Sequence, residues 1–528
     1  MKIFFPLLIA LTLPCPAPAA DWNQWRGPLR NGVLPDSVPL LDAIPAGGLK
    51  ELWASEDIPS ADEGGLGSVV TAQGRAYLSV VWHRDLPSET RTIDDLVMRK
   101  LGHQGTGGLG KELVAKMEAT RESLEPTLRG KKLDEFIEKW IADHLDAKQR
   151  QLYGGFIGGR FRKGKLAIPL GDYEKLQKVQ DKPFASAAAF QQWLDAQGFS
   201  ENVRQTVFDA VPPTRRVAED TVICLELATG KTAWKATAPG EPKGRSCSST
   251  PAVVDGRVYA LGSTHAYCVD ATTGKQVWAA PLASKAPGSS PLVVEGVVVV
   301  NAGRLVGYDA ATGKELWRQE KAGGGNSSPV AWSSGGGGGA GTSGGKTLAL
   351  CNSRNDIVAV DLKTGAVVWT APGGGDSTPA IAGDILAVQV RNPKLGFVAY
   401  KLSATGAEKL WNHPFDPLRT QSSPITHAGR AFLMDDNTHF CWDLATGKKL
   451  WEASVPSTIA SPALADGKIF VLINNGNNLQ IVKATGPDRV ELGKANVRAT
   501  WCPSPTVADG KLLLRMKDRV KCFELAAK

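Results

Sequence analysis

The sequence predicts an all-β fold built from eight copies of one four-stranded unit. Three observations carry this. A turn phrase recurs along the chain, a Ser/Thr-Pro phrase recurs between its copies, and the tryptophans ending the turn phrase keep a near-constant spacing. Self-similarity at a period of about 40 residues means stacked supersecondary units, each burying its apolar face on the next.

The turn phrase is clearest in Asp270-Ala271-Thr272-Thr273-Gly274-Lys275-Gln276-Val277-Trp278. It returns from Glu226 to Trp234, Asp309 to Trp317, Asp361 to Trp369 and Asp443 to Trp451, and more loosely from Ser403 to Trp411. Successive tryptophans are 44, 39, 52, 42 and 40 residues apart. In each copy an apolar run ends at an acidic residue and Thr-Gly makes a tight turn. Gly230, Gly274, Gly313, Gly365 and Gly447 supply positive φ without a Cβ clash. A short strand then ends on Trp, large enough to fill the space between neighbouring units. Trp53, Trp234, Trp278, Trp317, Trp369, Trp411 and Trp451 are therefore structural repeat positions.

The second phrase starts each unit: Ser68, Thr250-Pro251, Ser290-Pro291, Ser328-Pro329, Thr378-Pro379, Ser423-Pro424, Ser461-Pro462 and Ser504-Pro505. Each precedes an apolar strand, usually a Gly turn, and another apolar strand, which reads as a hairpin. The seventh unit has a degraded end near Val490-Glu491-Leu492. The last unit stops at Cys522-Phe523-Glu524-Leu525 with no turn and no Trp. Residues 48–55, ending a unit that has no beginning, are expected to supply its missing fourth strand beside Arg519 to Glu524. Such closure removes an exposed sheet edge.

One interval breaks the period. Trp53 and Trp234 are 181 residues apart, and removing residues 85–216 restores a spacing of 49. This insert reads as helical. Leu133, Phe136, Ile137, Trp140, Ile141 and Leu145 fall on one stripe, and 185–197 and 201–211 are similar. It interrupts the first unit between its second and third strands, which puts it on the face carrying the Ser/Thr-Pro starts. Ser333 to Gly345, with its glycine run, predicts a flexible loop in the fourth unit.

The chain has 528 residues and a net charge of +8 from 61 basic and 53 acidic side chains, a weak basis for a polyanion partner. Residues 1–20, with an apolar run from Ile3 to Leu13 before Ala17-Pro18-Ala19-Ala20, read as a secretory signal cleaved near residue 20. Thr12 and Pro14 argue against lipidation at Cys15. No other stretch approaches 18 apolar residues, so no transmembrane segment is expected. Residues 21–47 are Pro- and Gly-rich and irregular, and Trp22 and Trp25 predict a segment docked on a surface.

Cys224, Cys268, Cys441 and Cys522 each stand two residues before the acidic residue of the turn phrase or its remnant. One repeat position implies one role, a small buried apolar side chain. No adjacent cysteine pair, C-x-x-C or C-x-x-C-H occurs, and the seven histidines show no ligand spacing. Gly105 to Lys111 fits a phosphate-loop pattern in part, but Glu112 follows where Ser or Thr is needed and no apolar strand precedes it. It reads as a connector between helices. Arg160-Phe161-Arg162-Lys163-Gly164-Lys165 is the densest basic run. It reads as a solvated loop, with Arg160, Arg162, Lys163 and Lys165 the candidate partner-binding residues. Export argues against a nucleic-acid partner.

These phrases resemble the PQQ-type propeller repeat, A-x-D-x-x-T-G-x-x-x-W, with Tyr308 to Trp317 the cleanest copy. The resemblance covers 48–84 and 217–528. Residues 21–33 also resemble the mature start D-W-x-Q-W-R-G-P-x-R-x-G of secreted bacterial proteins with such repeats. It implies an eight-bladed β-propeller of four-stranded blades, closed by an N-terminal strand, with an α-helical insertion in the first blade. Two branches share the repeat: quinoprotein dehydrogenases, and non-catalytic periplasmic propellers similar to BamB. A quinone enzyme needs calcium ligands, a catalytic carboxylate and a flat surface in the central channel. Alcohol-type members also carry adjacent cysteines, which are missing here. Asp270, Asp309, Asp361 and Asp443 are accounted for by their turns. No catalytic, metal or cofactor residue is therefore assigned.

The expectation is a monomeric periplasmic or secreted scaffold, without a cofactor, that binds a protein of the cell envelope. The alternatives are a PQQ- and calcium-dependent dehydrogenase and a glycan-binding propeller.

Overall fold

The computed structural model describes residues 21–527, apart from 243–246, 286–287, 325, 336–344 and 416–419. The expected leader and most of the glycine run lie outside the described residues. Among the described residues the strands form seven four-stranded antiparallel sheets, one of three strands and a two-stranded ribbon. The eight larger sheets begin at Val70–Ala72, Ala252–Val254, Leu292–Val294, Val330–Ser333, Ala380–Ala382, Ile425–His427, Ala463–Ala465 and Thr506–Ala508. They are numbered first to eighth below. In the sixth, the long strand Arg430–Asp443 pairs at one end with Ile425–His427 and at the other with Lys449–Thr458. It supplies both middle positions, with Asp436 at φ 45° between its halves.

In the eighth sheet, Glu51–Ala54 pairs antiparallel with Val520–Glu524, and Trp53 stands opposite Cys522. That pairing explains the cysteines. Each outermost-strand Trp faces a small residue on the strand beside it: Cys224 faces Trp234, Cys268 Trp278, Gly307 Trp317, Ala359 Trp369, Ala399 Trp411 and Cys441 Trp451. No disulfide is present among the described cysteines.

Neighbouring sheets are latched through the turn phrase. Trp53, Trp234, Trp278, Trp317 and Trp411 donate their indole N–H to the carbonyls of Leu227, Ala271, Ala310, Leu362 and Leu444 in the next sheet, at 2.9–3.2 Å. Each ring then lies over that sheet's Thr-Gly glycine. The turns are set by Asp270, Asp309, Asp361 and Asp443, whose Oδ1 accepts from the Thr hydroxyl three residues on. Where the seventh sheet lacks its Trp, Ile44 of the N-terminal segment packs against Gly493 instead.

The insert forms seven helices: α1 (Asp95–Leu101), α2 (Lys111–Ser123), α3 (Lys131–His144), α4 (Ala147–Lys163), α5 (Leu170–Lys178), α6 (Ala187–Ala196) and α7 (Glu201–Ala210). Asp94, Ser186 and Ser200 cap α1, α6 and α7, and Asp146 with Gln149 makes a capping box on α4. Two small cores result. One gathers Met98, Leu176, Phe190, Leu194 and Val207, and the other Met117, Ile137, Trp140, Ile157 and Phe161. The stripe on α3 thus packs within the insert. The insert hangs from Arg75–Pro87 and Thr214–Glu226, paired along their whole lengths, and Arg99 makes an ion pair with Asp62 at 3.2 Å. No helix among the described residues is long and apolar enough to cross a membrane.

Candidate functional site

Residues 21–34 depart from the surface docking that their composition suggested. They form a hairpin finger inserted among the first strands of the sheets. On the incoming limb, Trp22 exchanges hydrogen bonds with Thr71, and Val253 N–H donates to the Asn23 carbonyl at 2.7 Å. The tip turns through Gln24 to Arg30. On the outgoing limb, Leu464 N–H donates to the Gly32 carbonyl at 2.7 Å and Leu34 N–H to the Leu464 carbonyl at 2.8 Å. Gly32 passes so close to the sixth sheet that a Cβ would stand 2.8 Å from Ile425 Cγ1.

Two arginines fix the tip. Arg26, 1 % exposed, donates to the carbonyls of Thr378, Pro379 and Pro424. Arg30, 2 % exposed, donates to Pro291 O at 2.8 Å, Ser290 O at 3.1 Å and Gln24 Oε1 at 3.2 Å. Burial pushes the pKa of both guanidinium groups down. The carbonyl dipoles around them offset that cost. The finger thereby touches the first, second, third, fifth, sixth and seventh sheets. So many sheets meet one short hairpin only where their inner edges converge on a common axis, and the finger occupies that axis.

The Ser/Thr-Pro phrase forms a belt of hydrogen bonds beside it. The backbone N–H of Ser68 donates to the Thr250 hydroxyl, and Thr250, Ser290, Ser328, Thr378 and Ser423 repeat the bond to Ser290, Ser328, Thr378, Ser423 and Ser461. Ser504 N–H donates to Ser68 Oγ, joining the eighth sheet to the first. These bonds are 2.7–3.0 Å long and buried.

Above this belt lies the mouth of the axis, a cavity of about 70 Å³ lined by residues of the segments leading into the eight sheets and by Trp25 of the finger. Its polar lining includes Ser248, Ser290, Asn326, Asp376, Gln421 and Cys502. No residue of 85–216 lines it among the described residues. Asp376 is engaged: its Oδ1 accepts from Asn326 N–H at 2.9 Å, and Arg391 stands 3.7 Å away. Among the described residues no group of three or more His, Cys, Asp or Glu is placed to hold a metal ion. Small-molecule sites enclose about 300–1,000 Å³. A mouth this small, floored by Trp25 over two buried arginines, does not fit a flat quinone with its calcium.

The basic run is not a loop. Arg160, Arg162 and Lys163 form the last turn of α4, and Lys165 sits in the 3-10 turn Gly164–Leu166. Arg160 is 4 % exposed and clasps Glu118 with two bonds of 2.7 Å. Arg162 pairs with Asp134 at 3.0 Å. Lys163 and Lys165 are exposed. The four side chains thus do not gather on one face. Arg26 and Arg30 are not legible as site residues because their partners are backbone carbonyls and the Gln24 amide oxygen. Their one signal was the likeness of residues 21–33 to a mature N-terminus.

The chain is 26% identical over 269 residues to tetrathionate hydrolase of Acidithiobacillus ferrooxidans, over 47% of this chain and 53% of that protein. It thus spans about half the length of the curated relative it matches. Among solved structures it is similar to BamB from Moraxella catarrhalis, at 19% identity and a TM-score of 0.45, over 58% of this chain and 88% of that one. It is also similar to a europium-containing methanol dehydrogenase, at 15% identity and a TM-score of 0.42, over 56% and 79%. The family model described as outer membrane protein assembly factor BamB matches residues 218–452 and 302–525, together more than half the chain, and the protein belongs to this family of PQQ-like propellers.

Proposed function

We propose that this chain is an eight-bladed propeller, closed by its N-terminal strand, that acts as a non-catalytic binding or assembly scaffold in the cell envelope. Partner contacts are made through the helical insert and the face of the ring from which it rises. The single observation that carries this reading is the finger. The space a quinone enzyme of this fold class needs at its axis is filled by the chain's own residues 21–34, pinned by Arg26 and Arg30. The seven-bond Ser/Thr belt that returns from Ser504 to Ser68 supports the eightfold ring. Family membership and the leader-like residues 1–20 support a periplasmic or secreted location.

The test compares the full chain with a variant in which a short Gly-Ser linker replaces residues 85–216. Affinity capture from native envelopes is expected to retain a partner on the full chain and lose it on the variant, with the ring still folded. Retention by both would move the contact surface to the propeller. Dye reduction with added PQQ and calcium is expected to stay at background for both proteins. Quinone-dependent turnover in either would overturn the scaffold reading.

A second reading rests on Trp25. A half-buried indole at the mouth, near Asn326, Gln421 and several hydroxyls, has the aromatic face and polar rim that suit the end of a glycan. Calorimetry with envelope glycans should then give heats that Trp25→Ala abolishes.

A further inference from the structure

The helical insert holds a second cavity, of about 460 Å³, between the end of α1, one side of α4 and α5. That is the size of a small-molecule site. Leu101, Phe156, Ile168 and Tyr173 give it apolar walls. Arg99, His103, Arg160 and Lys163 also line it, and among the described residues no carboxylate does.

The glycines of α4 bear on what this space is for. Glycine inside a helix is destabilising and needs a reason. Gly158 has one, since a Cβ would stand 3.3 Å from Ile137 Cγ2 of α3, and Gly154 faces Ile141 at 3.8 Å. Gly155 and Gly159 have no such neighbour: nothing lies within 4 Å of a Cβ built on either. They are one turn apart, both line the cavity, and they keep that wall open.

The cations sort themselves. Arg160 is taken up by Glu118 and the Ile168 carbonyl, and Arg99 by Asp62. Lys163 has no ion-pair partner among the described residues. Its ammonium reaches across to α1, 3.9 Å from where a Cβ on Gly102 would stand. The preference of cations for helix C-termini accounts for basic residues in the last turn of α4. It does not account for an open apolar cavity behind the lysine left unpaired.

We propose that this cavity binds a small amphipathic anion. An aromatic or aliphatic body lies over Gly155 and Gly159 against Phe156 and Tyr173, and a carboxylate, sulfonate or phosphate group meets Lys163, with His103 beside it. The site is independent of the scaffold reading.

The test is a fluorescence titration of the full chain with 1-anilinonaphthalene-8-sulfonate, beside Gly155→Leu, which fills the open wall, and Lys163→Glu, which reverses the free charge. Expected are saturable one-to-one binding and at least tenfold weaker binding in each variant. Gly155→Leu should melt no lower than the parent, because leucine is the better helix former. Lys163→Glu, at an exposed position, keeps the test sound if the leucine disturbs folding. The proposal is overturned by absent saturation, by equal binding in all three proteins, or by binding confined to phosphatidylglycerol vesicles.

Discussion

The indole of Trp278 donates to the Ala310 carbonyl at 3.0 Å and covers Gly313 so closely that a Cβ there would stand 2.6 Å from the ring. Gly313 also has φ +73°. Gly313→Ala therefore meets backbone strain and a clash together and should cost about 3 kcal/mol. Gly296 has the same φ but nothing within 4 Å, so Gly296→Ala should cost only about 1 kcal/mol. Urea denaturation of the two variants compares them directly. Equal losses would mean that the indole yields freely and the latch is weak.

The latch has one incomplete member. Trp317 Nε1 donates to Leu362 O at 2.9 Å, whereas the buried Trp369 Nε1 has no partner among the described residues. The next sheet there carries the looser copy of the phrase, and it turns through a tighter hairpin in which Ser403 pairs directly with Gly406. Trp317→Phe should therefore cost about 1–2 kcal/mol more than Trp369→Phe. Melting temperatures in the same buffer would show the order.

The belt of hydroxyls can be cut at one link. Ser328→Ala leaves the buried Ser290 N–H without its acceptor and should cost about 2 kcal/mol. Ser328→Thr keeps the oxygen, and Thr already holds this position at residues 250 and 378. It should be nearly neutral by the same denaturation measurement.

Acid should probe His439. Burial, with Arg489 adding to it, pushes its pKa down to about 3, against about 6.5 for an unfolded histidine. Between these values the unfolded chain binds the proton and the folded chain does not, so stability falls as pH drops from about 6.5 towards 3. Asp435, in the same sheet, is raised by burial and acts in the opposite direction. The comparison is therefore between variants. From pH 7 to 4.5, His439→Phe should lose about 2–3 kcal/mol less than the parent in chemical denaturation.

The repeat was legible because each unit must solve the same packing problem with the same residues. The Asp-Thr-Gly turn and the outer Trp are local devices, and their spacing marked out the four-stranded units. The four cysteines were legible for the same reason, since one position opposite one Trp admits only a small side chain. The finger was not. Arg26 reaches carbonyls hundreds of residues away, and a carbonyl leaves no signature in the sequence. The basic run was misread as a loop because Gly154, Gly155, Gly158 and Gly159 mask the helical character of α4. The pair Asp146 and Gln149, three residues apart, was the signal that a helix starts just before them.

Trp53 sits opposite Cys522, so the strand Glu51–Ala54 pairs into the same sheet as Val520–Glu524. A chain that emerges from its N-terminus cannot use this pairing until almost all of it has been made. The finger and the strand Glu51–Ala54, though synthesised early, must wait unplaced until their distant partners have formed. Contacts so distant in sequence are slow to form. For that interval the Val520–Glu524 strand presents an unpaired edge, and the exposure of the chain to aggregation is set by the speed of the final docking more than by the stability of any one sheet.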